Sequence, residues 1–204
     1  MSRGVLAKGD CSIPKASMKS SAAYIAEVNH DHRAILYRCR WSPDDAVRVV
    51  PELVRVLADE DERLVDEALR ALILIGTPAV AAVPHVIPLI SSSLPITRQL
   101  AVLALGQIAH NEPCVCVGPI TRALEHDDCR KNALGILAFL GSNAASALPM
   151  ILKHYESKDA STRKLVITAV AAIDGRSETA LQLFAKAKLD RSKLVRVAAD
   201  KATS

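Results

Sequence analysis

Apolar and polar residues along this chain recur in blocks with a period near 33 residues. The clearest block is Asp59–Gly76. A polar run, Asp59-Glu-Asp-Glu-Arg63, leads into Leu64, Val65, Ala68, Leu69, Leu72 and Ile75 and closes on Gly76. Spacings of three and four place those apolar side chains along one stripe of an α-helix. Acids ahead of the stripe and a glycine behind it are helix start and stop signals. With Ala68 as reference, steps of 33, 33, 32, 33 and 33 residues from Ile35 land on Ala68, Ala101, Ala133, Val166 and Ala199. Four positions further on stand Cys39, Leu72, Leu105, Leu137 and Val170. Seven positions on from Ala68 come Ile75, Ile108, Leu140 and Ile173, followed by Gly76, Ala109, Gly141 and Asp174.

Each period holds two helical stretches. After a leader at 1–15, the pattern predicts one repeat domain over 16–204, with units at about 16–42, 44–76, 79–109, 116–141, 145–174 and 177–204. In the second unit, Ser42-Pro-Asp-Asp starts an outer helix over 46–58, with Val49, Leu53, Val56 and Leu57 inward, and an inner helix follows over 63–75. The third unit has its outer helix over 80–90, bent at Pro88, and its inner helix over 96–109. The sixth has them over 177–188 and from 191 to the end. Pro51, Pro84, Pro119 and Pro149 each fall near the start of an outer helix, where a missing backbone donor costs nothing. One helix pair cannot bury both of its apolar faces, so the units must lean on one another. The predicted fold is all-α: a right-handed α-α superhelix, or α-solenoid, of about six helix pairs, with polar residues on the end units.

The stretches Val50-Pro-Glu-Leu-Val-Arg-Val-Leu57, Arg130-Lys-Asn-Ala-Leu-Gly-Ile-Leu-Ala-Phe-Leu-Gly141 and Leu148-Pro-Met-Ile-Leu152 resemble HEAT repeats, in particular the short bacterial kind also found in phycobilin lyases. The resemblance covers 44–204 and, more faintly, 16–42. It implies a role for Arg98, Arg130, Arg163 and Arg196, each three residues before the reference position. In HEAT-like families such arginines form a structural ladder to aspartates of the turns, represented here by Asp127, Asp128, Asp159 and Asp190. A planar guanidinium suits that task because it bridges two acceptors. Val65 and Ser91-Ser-Ser-Leu-Pro95 depart from the pattern.

Inner helices line the concave face of such superhelices. The positions two before and two, five or six after the reference point into it. They are Asp66, Arg70, Ile73 and Leu74; Gln99, Leu103 and Gln107; Lys131, Gly135, Ala138 and Phe139; and Lys164, Thr168 and Ala172. Ile73, Leu103 and Phe139 make this surface partly apolar, as a docking face for a protein or peptide would be. The functional expectation is therefore a non-enzymatic interaction scaffold that binds a protein or peptide there.

Composition adjusts this picture in three places. Half the residues are apolar and only 3% aromatic, so the core is aliphatic. The net charge of +4 is unevenly spread, with nine acids against four bases over 44–76 and eleven bases against six acids over 148–204. Oppositely charged ends leave self-association open. Arg70, Lys131, Lys164 and Lys201 could also form a basic groove for phosphates, but the scattered aromatics argue against a nucleic-acid reader. Five cysteines at irregular spacings, without a secretory run ahead of them, predict reduced thiols in the cytoplasm. The apolar window 79–90 is too short to cross a bilayer.

Other chemistry finds little support. His110, Cys114, Cys116, His126 and Cys129 lack a Cys-x-x-Cys pair, so no metal is expected. His30-Asp-His32 reads as a turn. No phosphate-binding glycine loop, nucleophile elbow or His-Glu-x-x-His is present, and no catalytic residue or cofactor is expected. Two enzyme families with HEAT-like folds fit poorly. The repeated His-Glu pairs of deoxyhypusine hydroxylases are missing, as are the tryptophans that would frame Asp66 in an alkylpurine DNA glycosylase. A nucleic-acid-binding or glycosylase-like protein, or a subunit of a heteromeric bilin lyase, is the alternative.

Overall fold

A computed structural model describes residues 43–109 and 113–203, with side chains from Arg48 onward. The expected leader, the first unit and the His30-Asp-His32 turn lie outside the described residues, as does His110.

Helix α1 spans Pro43–Val56 and α2 spans Glu62–Ile75. A 3₁₀ segment, Thr77–Ala82, then leads into one α-turn, α3 (Val83–Val86), and a second 3₁₀ segment, Ile87–Ser91. Next come α4 (Pro95–Ile108), α5 (Pro113–Arg122) and α6 (Asp127–Leu140). A 3₁₀ stretch, Gly141–Ala147, precedes α7 (Leu148–Lys153). The chain closes with α8 (Ala160–Asp174), α9 (Glu178–Ala187) and α10 (Lys193–Ala202). The described residues contain no strand.

The helices form two rows. In the inner row α2, α4, α6, α8 and α10 each pack on the next. In the outer row α1 packs on Thr77–Ala82, and α5 packs on Gly141–Ala147. The joints of the inner row are aliphatic. Leu69, Val102, Leu134 and Ile167, one position after the reference, are fully buried, and so are Leu72, Leu105 and Leu137 three residues later. The reference residues themselves are small because the helices approach closely there. Gly106 shows how closely, since a Cβ on it would sit 2.6 Å from Ile136 Cδ1. In α10 the buried aliphatic position is taken by an exposed Asp200, which gives this last helix a polar outward side.

The ends of the helices follow local chemistry. Asp61 caps α2, accepting from Arg63 N at 2.9 Å. Asp159 caps α8, accepting from Ser161 N and Thr162 N. Ser177 caps α9 through Ala180 N. After α2 and α6 the chain reverses at Gly76 (φ 67, ψ −133) and Gly141 (φ 56, ψ −136), a conformation that side chains with a Cβ rarely adopt.

The outer row departs from the expected simple helices. Pro84 and Pro149 do open α-helical turns, but Pro51 and Pro119 sit inside α1 and α5. The outer element has two parts, and the proline marks the second. Where the first part is a 3₁₀ segment the proline begins a helix, and where it is already α-helical the same proline falls within it. In the third unit Pro84 and Pro88 each remove a donor, so the predicted helix over 80–90 is a single α-turn between 3₁₀ segments rather than one bent helix. The apolar run from Asp127 to Glu156 is long enough in composition to cross a membrane, yet it is broken at Gly141. Its longest straight piece, α6, has 14 residues, or about 21 Å, against the roughly 30 Å of a bilayer core.

Candidate partner-binding face

The sequence-derived face lies along the inner row, and none of its residues is buried. Arg70, Gln107, Lys131, Gly135, Phe139, Lys164 and Thr168 are exposed, and Asp66, Ile73, Gln99 and Leu103 are half-buried. Two large apolar side chains stand out: Phe139 is 66% exposed and Leu74 57% exposed. Both occupy the position six after the reference, on α6 and α2. Their neighbours Leu72 and Leu137 are fully covered, so the same helices present a satisfied side and an unsatisfied one.

Not every residue of the set faces outward unengaged. Asp66 accepts a hydrogen bond from Thr97 Oγ1 at 2.8 Å, tying α2 to α4. Lys131 Nζ lies 2.9 Å from Asp159, tying α6 to the turn before α8. Lys131 and two backbone and hydroxyl donors of the α8 cap hold the Asp159 carboxyl well below the usual range. These two residues therefore serve the stack as well as the surface.

The arginines do related work at the turns. Arg98, Arg163 and Arg196 each donate through Nη1 to the carbonyl six residues earlier, at Ser92, Ser157 and Asp190. Arg130 reaches its own six-earlier carbonyl, Leu124, through Nε. Two of them also cross to the next unit. Arg98 Nη2 donates to Asp128 at 2.9 Å. Arg163 grips Asp190 with Nε and Nη2, both at 2.8 Å. That last pair is 6% and 8% exposed. The guanidinium holds the Asp190 carboxyl down to about 2, while Tyr155, whose hydroxyl also reaches Asp190, is pushed up by burial. Consecutive inner helices are thus linked in series by Thr97–Asp66, Arg98–Asp128, Lys131–Asp159 and Arg163–Asp190.

Of the five residues weighed as metal ligands, Cys116 and Cys129 are free thiols packed in the core and Cys114 is exposed. Burial pushes the Cys129 thiol up to about 11. Among the described residues no three His, Cys, Asp or Glu side chains converge.

Sequence reasoning stopped the face at α8. The same spacing from Ala199 reaches Val197 and Lys201, both exposed on α10, and Ile96 and Leu194 are exposed five residues before their reference positions. Carrying the repeat through its last unit would have found them.

No family model and no curated protein matches the chain. Solved structures do. A designed armadillo repeat protein in complex with the peptide (KR)4 is 18% identical, with a TM-score of 0.68 over 88% of this chain and 92% of its own. An engineered protein from a structural genomics consortium is 19% identical, with a TM-score of 0.66 over 90% of each chain. Computationally designed armadillo repeat proteins for modular peptide recognition reach a TM-score of 0.61 at 17% identity, over 78% of this chain and 85% of theirs. At these identities the likeness is one of fold. The chain is an all-α repeat solenoid with armadillo-like helical neighbours.

Proposed function

We propose that this chain is a non-catalytic scaffold of the short HEAT-like kind, cytoplasmic, whose inner row binds a segment of another protein. The observation that carries this reading is the uncovered pair Leu74 and Phe139 on helices whose other sides are fully packed. A large exposed aromatic on a rigid surface is the type of anchor that dominates binding energy at interfaces. Bridging of consecutive turns by Arg98 and Arg163 favours the HEAT-like assignment. The peptide-binding designs among the structural neighbours favour the mode, an extended segment laid across successive units.

The mechanism is mechanical rather than chemical. The stacked joints hold the inner helices at fixed spacing, so side chains one unit apart form rows that an extended segment crosses without reorganising the scaffold. Affinity capture from the source cells with the wild type, Phe139→Asp and Leu74→Asp tests this. Proteins retained by the wild type and lost with both variants, at unchanged helicity, support the inner row. Capture that survives both substitutions moves the interface elsewhere.

A further inference from the structure

The inner face is not uniform in charge. Two positions before the reference, the side chains run Asp66, Gln99, Lys131 and Lys164 from α2 to α8. Two positions after it on α10 stands Lys201. Lys131 is shared with Asp159, and Asp128 on the same helix is taken by Arg98. Lys164 and Lys201 are exposed and make no ion pair among the described residues. Between the lysines the floor drops to Gly135 and Thr168, and nothing lies within 4 Å of where a Cβ on Gly135 would be. Phe139 borders this floor one turn further along α6.

We infer that the segment seated on the inner row is acidic, with its carboxylates over the α6–α10 end. This rests on the inner row being the binding face, and it names the partner's chemistry. Inner helices packed about 8–10 Å apart put α6 and α10 roughly 16–20 Å from each other. An extended chain covers that span with about five or six residues. Acidic side chains two or three residues apart then meet Lys164 and Lys201, with Lys131 exchanging Asp159 for the incoming carboxylate. An apolar side chain between or beside them rests on Phe139. Opposite charge in this arrangement sets both the direction of the segment and its rate of encounter.

The test is selection of random 12-residue peptides displayed on phage against the full chain, followed by fluorescence anisotropy of the enriched peptides. Asp- and Glu-rich sequences are expected, with affinity falling about tenfold between 50 and 500 mM salt and about tenfold again in Lys164→Glu/Lys201→Glu. Both lysines are exposed, and circular dichroism of that variant confirms that it folds. Enrichment of basic or uncharged peptides overturns the acidic segment, as does affinity indifferent to the charge reversal. If those peptides are still lost with Phe139→Asp, the inner-row reading survives. No enrichment of any sequence removes both. A DNA duplex that binds more tightly than any enriched peptide, and is lost on the same charge reversal, assigns the lysines to phosphate and overturns the inference.

Discussion

Leu69, Val102, Leu134 and Ile167 lie three residues after Asp66, Gln99, Lys131 and Lys164 on the same four helices, yet the two sets share almost nothing. The first set is aliphatic, fully buried and nearly interchangeable from unit to unit. The second passes from acid to amide to lysine and reaches solvent in every unit. Three residues are close to one helical turn, so this contrast cannot come from helix propensity. It comes from what each side meets. The joints meet the next copy of the same unit, which demands the same shape each time. The inner surface meets nothing in the chain and is free to differ.

Substitutions should separate the two sets, and the largest effect belongs to the joints. Leu134→Ala removes a fully buried side chain at the centre of the stack and should cost about 3–4 kcal/mol by chemical denaturation. Asp190→Ala comes next, because it leaves Arg163 buried without its partner, at about 3 kcal/mol. The folded pKa of Asp190 lies below that of the unfolded chain. Its stabilisation is therefore present above about pH 4 and lost as pH falls toward 2. Asp190→Asn should accordingly flatten stability across that window, where the wild type declines. Gly141→Ala forces a Cβ into a positive-φ conformation and should cost about 1–2 kcal/mol without altering any surface. The smallest effect belongs to Phe139→Asp, whose stability should stay within about 0.5 kcal/mol of wild type although partner binding is lost. If Phe139→Asp destabilised as much as Leu134→Ala, the distinction between the two sets would collapse.

The repeat was legible because joining positions recur. Ala68, Ala101, Ala133 and Val166 announce themselves by spacing alone, and the paired-helix stack follows from them. The outer row was less legible. Pro51, Pro84, Pro119 and Pro149 share a register, yet two open helices and two lie inside them. That difference depends on whether a 3₁₀ or an α segment comes first, and no spacing encodes it. On the inner face, spacing picked out which residues reach the surface. It did not show that Asp66 is held by Thr97 or Lys131 by Asp159, since those partners stand 31 and 28 residues away and depend on how neighbouring units dock. Phe139 and Leu140 look equally apolar in sequence, but only the stacked structure leaves one in solvent and covers the other.

Hydrogen exchange of the full chain with and without an enriched peptide addresses the binding face most directly. Slower exchange confined to α4, α6 and α8 is the predicted result. Protection along 77–91 and 141–153 of the outer row, with the inner helices unchanged, would contradict it.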